Sequence, residues 1–236
     1  MGTACLYEGK AKRIFETEDP DVLRIAYKDD ATAFNGEKKE VLTGKGRLNN
    51  EISSLIFERL QEEGIASHFI RRLSDTEQLV HPVEIVPLEV VVRRIAAGSI
   101  VKRTGLERGT IMDPPVVECY YKDDALGDPL LNDEHIRLLQ LAKPAELDTM
   151  KQLALRVYDV LSKLFDRAGI TLVDFKLEFG RRSGEILLAD EISPDTCRLW
   201  DKETGASFDK DLFRFGQGDL QTGYETILSR LGGHEA

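Results

Sequence analysis

The sequence predicts an α+β fold of two lobes with a ligand cleft between them. Three observations lead there. Strand-like segments crowd the first third of the chain, the strongest helical periodicities come at residues 46–63 and from residue 147 onward, and Pro82 and Pro87 punctuate the chain between two runs of strands. The boundary is drawn between residues 83 and 88. It gives an N-terminal antiparallel-sheet lobe of residues 1–85 and a C-terminal α+β lobe of residues 86–236.

The elements follow in order. Residues 6–9, 13–16 and 22–27 read as short strands, separated by turns at Gly9-Lys10-Ala11-Lys12 and Thr17-Glu18-Asp19-Pro20. Leu48, Ile52, Leu55, Ile56 and Leu60 recur at helical spacing, so residues 46–63 form an amphipathic helix that Gly64 ends. Strands resume at 68–73, 77–83 and 88–96. Gly98-Ser99 then opens a short helix that stops near Gly105. Pro114-Pro115 marks a break before a strand at 116–122. The run from Leu147 to Phe165 makes the longest helix, closed by Gly169. Residues 171–179 and 185–190 make a hairpin around Arg181-Arg182-Ser183-Gly184, and a last helix covers about 219–231.

Composition narrows the function. The 236 residues are 42% hydrophobic and 31% charged, ordinary for a soluble globular chain. No apolar run approaches the roughly 20 residues of a membrane span, and the N-terminus lacks the basic and apolar regions of a signal peptide. Three widely spaced cysteines (Cys5, Cys119, Cys197) point to reduced thiols in the cytoplasm, and the four histidines show no zinc-ligand spacing. A net charge of −10 argues against nucleic acid and membrane partners, so an anionic substrate must meet a local basic cluster.

Four segments carry such chemistry. In Leu172-Val173-Asp174-Phe175-Lys176-Leu177-Glu178-Phe179, strand alternation puts Val173, Phe175, Leu177 and Phe179 on a core face and Asp174, Lys176 and Glu178 on the other. Its hairpin partner ends in Asp190-Glu191. If Glu178 pairs near Asp190, two carboxylates stand about 5 Å apart, an arrangement that asks for a cation such as Mg²⁺ carrying nucleotide phosphates. The Gly9-Lys10-Ala11-Lys12-Arg13 turn can cover phosphates with amides and cations, although it is no Walker loop and a solvated basic turn fits it equally. Arg93 and Ser99 lead into a helix start that could take a phosphate, or else form a plain strand–helix junction with Ser99 as its cap. Asp195 and Arg198 follow the carboxylate strand in a loop that can reach a neighbouring substrate, while Cys197 there reads as a packing residue.

Together these segments resemble the SAICAR synthetase family. The likeness rests on LYEGKAKRIF (6–15), TAFNG (32–36), GKGRLNNEIS (44–53), LSDTEQLV (73–80), VPLEVVVRRIAAGS (86–99), YYKDDALGDP (120–129), LVDFKLEFG (172–180) and LADEISPDTCRLWDKET (188–204), from Leu6 to about Leu231. The resemblance implies a two-lobed fold with an ATP cleft. It implies a ligase of purine biosynthesis that joins carboxyaminoimidazole ribonucleotide to L-aspartate and releases ADP and phosphate, through an acyl phosphate. It further implies these roles: Lys10, Ala11 and Lys12 over the ATP phosphates; Ile14, Leu23 and Leu177 around adenine, with the Val86 backbone at the hinge; and Glu178 and Asp190 holding Mg²⁺. Lys176 offsets developing charge, Arg93, Ser99, Asp195 and Arg198 bind the ribonucleotide, and Asp174, Lys122 and Asp128 complete the catalytic set. A cytoplasmic homo-oligomer is expected by the same analogy. Two other readings compete. A small-molecule kinase would stop at phosphorylation, but the chain lacks His-Arg-Asp and Asp-Phe-Gly; a regulatory ATP-binding module would not need Asp174, Lys176, Glu178 and Asp190 together.

Overall fold

In the computed structural model, which describes residues 4–33 and 38–232, the chain opens with an antiparallel sheet. Its strands are β1 (Cys5–Glu8), β2 (Lys12–Glu16), β3 (Leu23–Tyr27), β6 (Phe69–Arg72) and β7 (Glu77–Val80), in the order β1-β2-β3-β7-β6. A separate hairpin, β4 (Asp30–Ala33) with β5 (Lys38–Val41), holds part of the TAFNG stretch, whose Phe34, Asn35 and Gly36 lie outside the described residues. The first sheet has a small core of Ile25, Tyr27 and Val80, with Ile14 and Leu23 packed on it.

The larger sheet contains β8 (Glu84–Ile95), β9 (Ile111–Tyr121), β10 (Leu130–Leu131), β11 (Ile170–Arg182), β12 (Glu185–Ala189) and β13 (Cys197–Asp201). Its order is β10-β9-β8-β11, with β12 and β13 sharing the far edge of the long β11. β12 pairs the end of β11 from Glu178 on, and β13 pairs its beginning up to Phe175. The helices are α1 (Lys45–Glu62), α2 (Ser99–Thr104), α3 (Asp133–Leu138), α4 (Pro144–Arg167), α5 (Asp211–Phe215) and α6 (Leu220–Arg230). Leu88, Val90 and Val92 of β8 and Phe175, Leu177 and Phe179 of β11 form one core with Leu48, Ile52 and Ile56 of α1 and Met150, Val157 and Leu161 of α4. Alternation along the two strands therefore sends Glu89, Val91, Arg93, Asp174, Lys176 and Glu178 to the opposite face.

Most predicted elements are present within a few residues of their expected bounds. β8 begins at Glu84, which leaves His81–Val83 as the segment crossing between the sheets. Gly180 lets that segment lie close, since a Cβ there would sit 2.4 Å from Val83 Cγ2. The break expected at Pro114-Pro115 is absent, because β9 runs through both prolines. They fall where the β8–β9 register shifts, between Val116 and Ile111, so their missing N–H groups interrupt no regular ladder. The strands β4, β5, β10 and β13 and the helices α3 and α5 had no counterpart in the prediction. Among the described residues no helix is long and apolar enough to cross a membrane.

Candidate functional site

Two cavities meet on the polar face of the large sheet. The larger, about 690 Å³, lies between the β1–β2 turn and the sheet. Ile14, Leu23, Ile25, Val80, Val83 and Ile85 make its apolar end, and Lys12, Lys122, Lys176, Glu178 and Asp190 its charged end. The smaller, about 340 Å³, is lined by Arg93, Asp174, Asp195, Arg198, Lys210 and Arg214. Lys10, Glu89 and Lys176 line both, so the two spaces share one wall.

That wall follows from register. Glu178 pairs with Glu89, Lys176 with Val91 and Asp174 with Arg93 across β11 and β8. The cross-strand partner of Glu178 on β12 is Ala189, not Asp190. Asp190 falls one residue beyond the ladder, at φ 60°, a conformation that a short polar side chain tolerates. The expected Glu178–Asp190 pair across the hairpin is thus replaced by Glu178 and Glu89, with Lys176 Nζ donating to both at 2.9 and 2.7 Å. Lys122 also donates to Glu178. Burial alone would lower the Lys176 pKa, but Glu178 and Glu89 outweigh it and hold the ammonium well above its usual range. Lys12 pairs with Asp190 and lies 3.1 Å from Glu191. Burial would raise the Asp190 carboxyl; Lys12 and Lys176 instead keep it well below the ordinary carboxylate range.

These carboxylates fit a magnesium ion delivered with a polyphosphate. Among the described residues no three or more His, Cys, Asp or Glu side chains form a ready metal cage. Mg²⁺ usually takes only one or two protein carboxylates and draws its other ligands from phosphates and water, and Glu178 and Asp190 stand at the charged end of the larger cavity. Lysines now neutralise both, so incoming phosphates can draw those lysines away and expose carboxylate oxygens.

The smaller cavity is built on alternating charge. Arg103 meets Glu118 at 2.6 Å, Glu118 meets Arg93 at 2.7 Å, Arg93 meets Asp174 at 2.6 Å and Asp174 meets Arg198 at 2.8 Å. The chain continues through Asp211 at 2.9 Å to Arg214 at 2.6 Å. Arg93 spends its donors on Glu118, Asp174, Tyr120 and Ser99, which leaves it little capacity for a ligand phosphate. Arg198 uses Nε and Nη1 on Asp211 and Asp174, while Nη2 packs against Gly98, where a Cβ would lie 2.6 Å away.

The expected residues sort cleanly. Lys10, Ala11, Lys12, Ile14, Leu23, Lys122, Asp128, Lys176, Glu178 and Asp190 line the larger cavity. Arg93, Asp174, Asp195 and Arg198 line the smaller. Leu177 lines neither, because it points into the main core and is fully buried, and the Val86 side chain is buried there too. Their positions in the strand alternation make that outcome unavoidable. Ser99 is the first residue of α2 and not its cap, which is Gly98; its hydroxyl accepts from Arg93 at 3.3 Å. Asp195 is engaged by the buried Lys45 at 2.5 Å and by the Tyr224 hydroxyl at 2.5 Å. Cys197 is buried, and desolvation raises its thiol far above the reactive range, as a packing residue requires. Glu89, Lys45, Lys210 and Arg214 were missed. The signals were a lone Glu89 two alternations from Arg93 on one strand face, and Lys210 and Arg214 four residues apart.

The architecture is that of a two-lobed α+β protein with a nucleotide-sized cleft between an antiparallel sheet and a larger mixed layer. The SAICAR synthetase family model matches residues 5–231, and the chain belongs to that family. A phosphoribosylaminoimidazole-succinocarboxamide synthase of Shouchella clausii is 64% identical over 229 residues, covering 97% of this chain and 96% of the relative. The crystal structure of the synthase of that name from Ehrlichia chaffeensis is 44% identical, with a TM-score of 0.96 over 99% of this chain and 100% of the other. A SAICAR synthetase (Type-2) in complex with ADP is 46% identical, with a TM-score of 0.94 and 98% of each chain covered.

Proposed function

We propose that the protein condenses carboxyaminoimidazole ribonucleotide with L-aspartate at the expense of ATP, as the family does, and that the wall of Lys10, Glu89 and Lys176 is where the two substrates meet. The observation that carries this reading is the sharing of that wall by the two cavities. A ligase needs a phosphoryl donor and a carboxylate acceptor in adjoining spaces, with cations at the junction.

The apolar end of the larger cavity suits adenine, with Ile14 and Leu23 against the ring. Lys10 and Lys12 then face the phosphates, and Glu178 and Asp190 would hold Mg²⁺. When bound, the ion would neutralise phosphate charge. Lys176, kept protonated by its carboxylate neighbours, stabilises charge on the transferring phosphoryl group. An oxygen of the imidazole carboxylate attacks the γ-phosphorus and the β–γ bridging bond breaks, giving an acyl phosphate and ADP. The amine of aspartate then attacks the acyl carbon; the C–O bond to phosphate breaks, an amide forms and the amine proton is released. Arg198, with Ser99, holds the ribonucleotide phosphate, and Arg93 and Asp174 fix Arg198 in place. Free thiols at Cys5, Cys119 and Cys197 suit a reducing cytoplasm, and a homo-oligomer is the family-based expectation.

The test is co-dependence. Sustained ADP release should require both the ribonucleotide and aspartate, and the product should be the amide. ADP formed at full rate without an amine would make the protein a kinase.

A further inference from the structure

We infer that Asp209 is a positioning residue: its carboxylate holds Arg198 in place for the ribonucleotide through two backbone amides, and a proton on that carboxylate loosens the hold. This rests on the ligase reading above, with Arg198 as the residue that meets the phosphate.

Asp209 lines neither cavity and is fully buried, between β13 and the start of α5. Its Oδ2 accepts from the Leu199 N–H at 2.7 Å and from the Ser207 hydroxyl at 2.8 Å, and its Oδ1 accepts from the Asp211 N–H at 2.8 Å. The two amides belong to the backbone beneath one ion pair. Leu199 follows Arg198 on β13, and Asp211 accepts from Arg198 Nε at 2.9 Å. One carboxylate therefore fixes both the strand that carries the arginine and the helix start that carries its partner. Phe208 N donates to Leu199 O at 2.8 Å, which closes the same joint from the other side.

Charge adds the second argument. Among the described residues Asp209 forms no ion pair. The titratable groups that face it are Asp211 of α5, Cys197 of β13 and Tyr224 of α6. The first is an anion, and burial keeps the other two neutral. A buried carboxylate beside another, with no cation to balance it, costs stability that its three hydrogen bonds offset only in part. Groups kept at such a cost gather where a site needs a set geometry. Burial and then Asp211 push the Asp209 carboxyl up to about 6, against the pull of those three bonds. Near that pH a proton turns one oxygen from acceptor to donor. The N–H group facing that oxygen loses its acceptor, and the Arg198–Asp211 pair shifts with the strand or the helix start that is released.

Calorimetric binding of the ribonucleotide, which needs no turnover, tests this on the wild type, Asp209→Asn and Ser207→Ala across about pH 5 to 8, with melting curves alongside. The asparagine amide nitrogen cannot accept, so Asp209→Asn resembles the protonated state at every pH. At about pH 8 its ribonucleotide Kd should exceed the wild-type value about 3- to 10-fold, the worth of one neutral hydrogen bond, with the ATP Kd within about twofold. That ratio should fall toward one as pH drops through about 6, where the wild type takes up its proton. The substrate phosphate also titrates near pH 6, and the ratio cancels it. Ser207→Ala removes a donor that favours the charged carboxylate, so its ribonucleotide affinity should begin to fall at higher pH than the wild type's. Melting carries the opposite sign. The folded value lies above the ordinary 3.8, so the wild type should gain stability over Asp209→Asn as pH falls from about 7 to about 4. A Kd ratio constant with pH, or an Asp209→Asn that melts lower with unchanged ribonucleotide affinity, would overturn the inference and leave Asp209 a structural residue. If Asp209→Asn does not fold, a Ser207→Ala profile that matches the wild type overturns it as well. A wild type that binds the ribonucleotide yet forms no amide would sink the ligase reading and leave this one standing.

Discussion

Glu178 stands directly opposite Glu89 across the β8–β11 ladder, and Lys176 Nζ bridges their carboxylates at 2.9 and 2.7 Å. Two carboxylates facing each other on adjacent strands repel unless a cation lies between them. Here the cation is supplied by the neighbouring position on Glu178's own face, two residues back. The wall between the cavities is therefore charge-balanced before any nucleotide arrives, and arriving phosphates compete for the same lysine.

This balance sets what Glu178→Gln and Asp190→Asn should do. The sequence-based expectation of bare carboxylate repulsion predicts unchanged or higher stability without ligand. With Lys122 and Lys176 on Glu178, and Lys12 on Asp190, each substitution instead removes an anionic partner from lysines already paired to it, so the ligand-free melting temperature should fall. Turnover should drop about 10²–10³-fold, the loss of one preorganised electrostatic contact, together with the melting shift given by Mg-ATP. Near-normal turnover in both variants would sink the proposed magnesium role of these two carboxylates.

The split between readable and unreadable features has a physical cause. The alternation of Asp174, Lys176 and Glu178 was legible because strand geometry has a fixed period of two residues. The partner of Glu178 was not, because residues 96–169 separate β8 from β11, and register across such a gap leaves no local mark. Lys12 and Asp190 were each legible, in the basic turn and at the end of the hairpin, but not as partners, because their contact spans 178 residues. Leu177 was misplaced because the family likeness overrode its alternation with Lys176, which already assigned it to the core.

The β1–β2 turn is held by Gly9 N donating to Lys12 O at 2.8 Å and by Lys10 pairing with Asp124 at 2.8 Å. Both side chains of that pair are at least half exposed, so the contact is weakly stabilising and easily exchanged for a phosphate. Hydrogen exchange across Gly9–Arg13 should slow on adding Mg-ATP. Asp124→Ala should speed exchange in the ligand-free protein while melting stays within error. Equal exchange with and without nucleotide would return the turn to a solvated surface feature.

Glu146 makes a pH-dependent contribution with a defined sign. It accepts from Arg181 Nε at 2.8 Å, Arg181 Nη2 at 3.0 Å and the backbone N–H of Lys143 at 2.8 Å. The Arg181 bonds lower its pKa most, and with the Lys143 bond they outweigh the opposing effect of burial, taking it from 4.5 to about 2. A depressed carboxylate stabilises the fold above its unfolded pKa, and that stability is lost as pH falls through the folded value. Glu146→Gln should therefore melt lower than wild type at pH 7, with the difference shrinking between about pH 4.5 and pH 2. A difference that stays constant with pH would trace the effect to packing and not to charge.

Gly98 gives a test of Arg198 that leaves the arginine itself intact. At φ 62° the residue occupies the left-handed region, and a Cβ would lie 2.6 Å from Arg198 Nη2, 2.8 Å from Cζ and 2.9 Å from Nη1. Gly98→Ala must therefore push the guanidinium aside while every charge in the network survives. The displaced Arg198 is tied to Asp174 and Asp211, so it cannot swing far without breaking those bonds. If Arg198 holds the ribonucleotide phosphate, Gly98→Ala and Arg198→Ala should share one signature: a ribonucleotide KM raised about 10- to 150-fold, with the ATP KM nearly unchanged. Gly98→Ala should also melt lower, since alanine at positive φ is strained. Arg198→Ala should melt lower for another reason, because it leaves the buried Asp174 with Arg93 alone. The double variant should raise the ribonucleotide KM no further than Arg198→Ala does, because both act through the same contact. Additive KM effects, or a rise in ATP KM in either single variant, would show that Arg198 does not carry the phosphate.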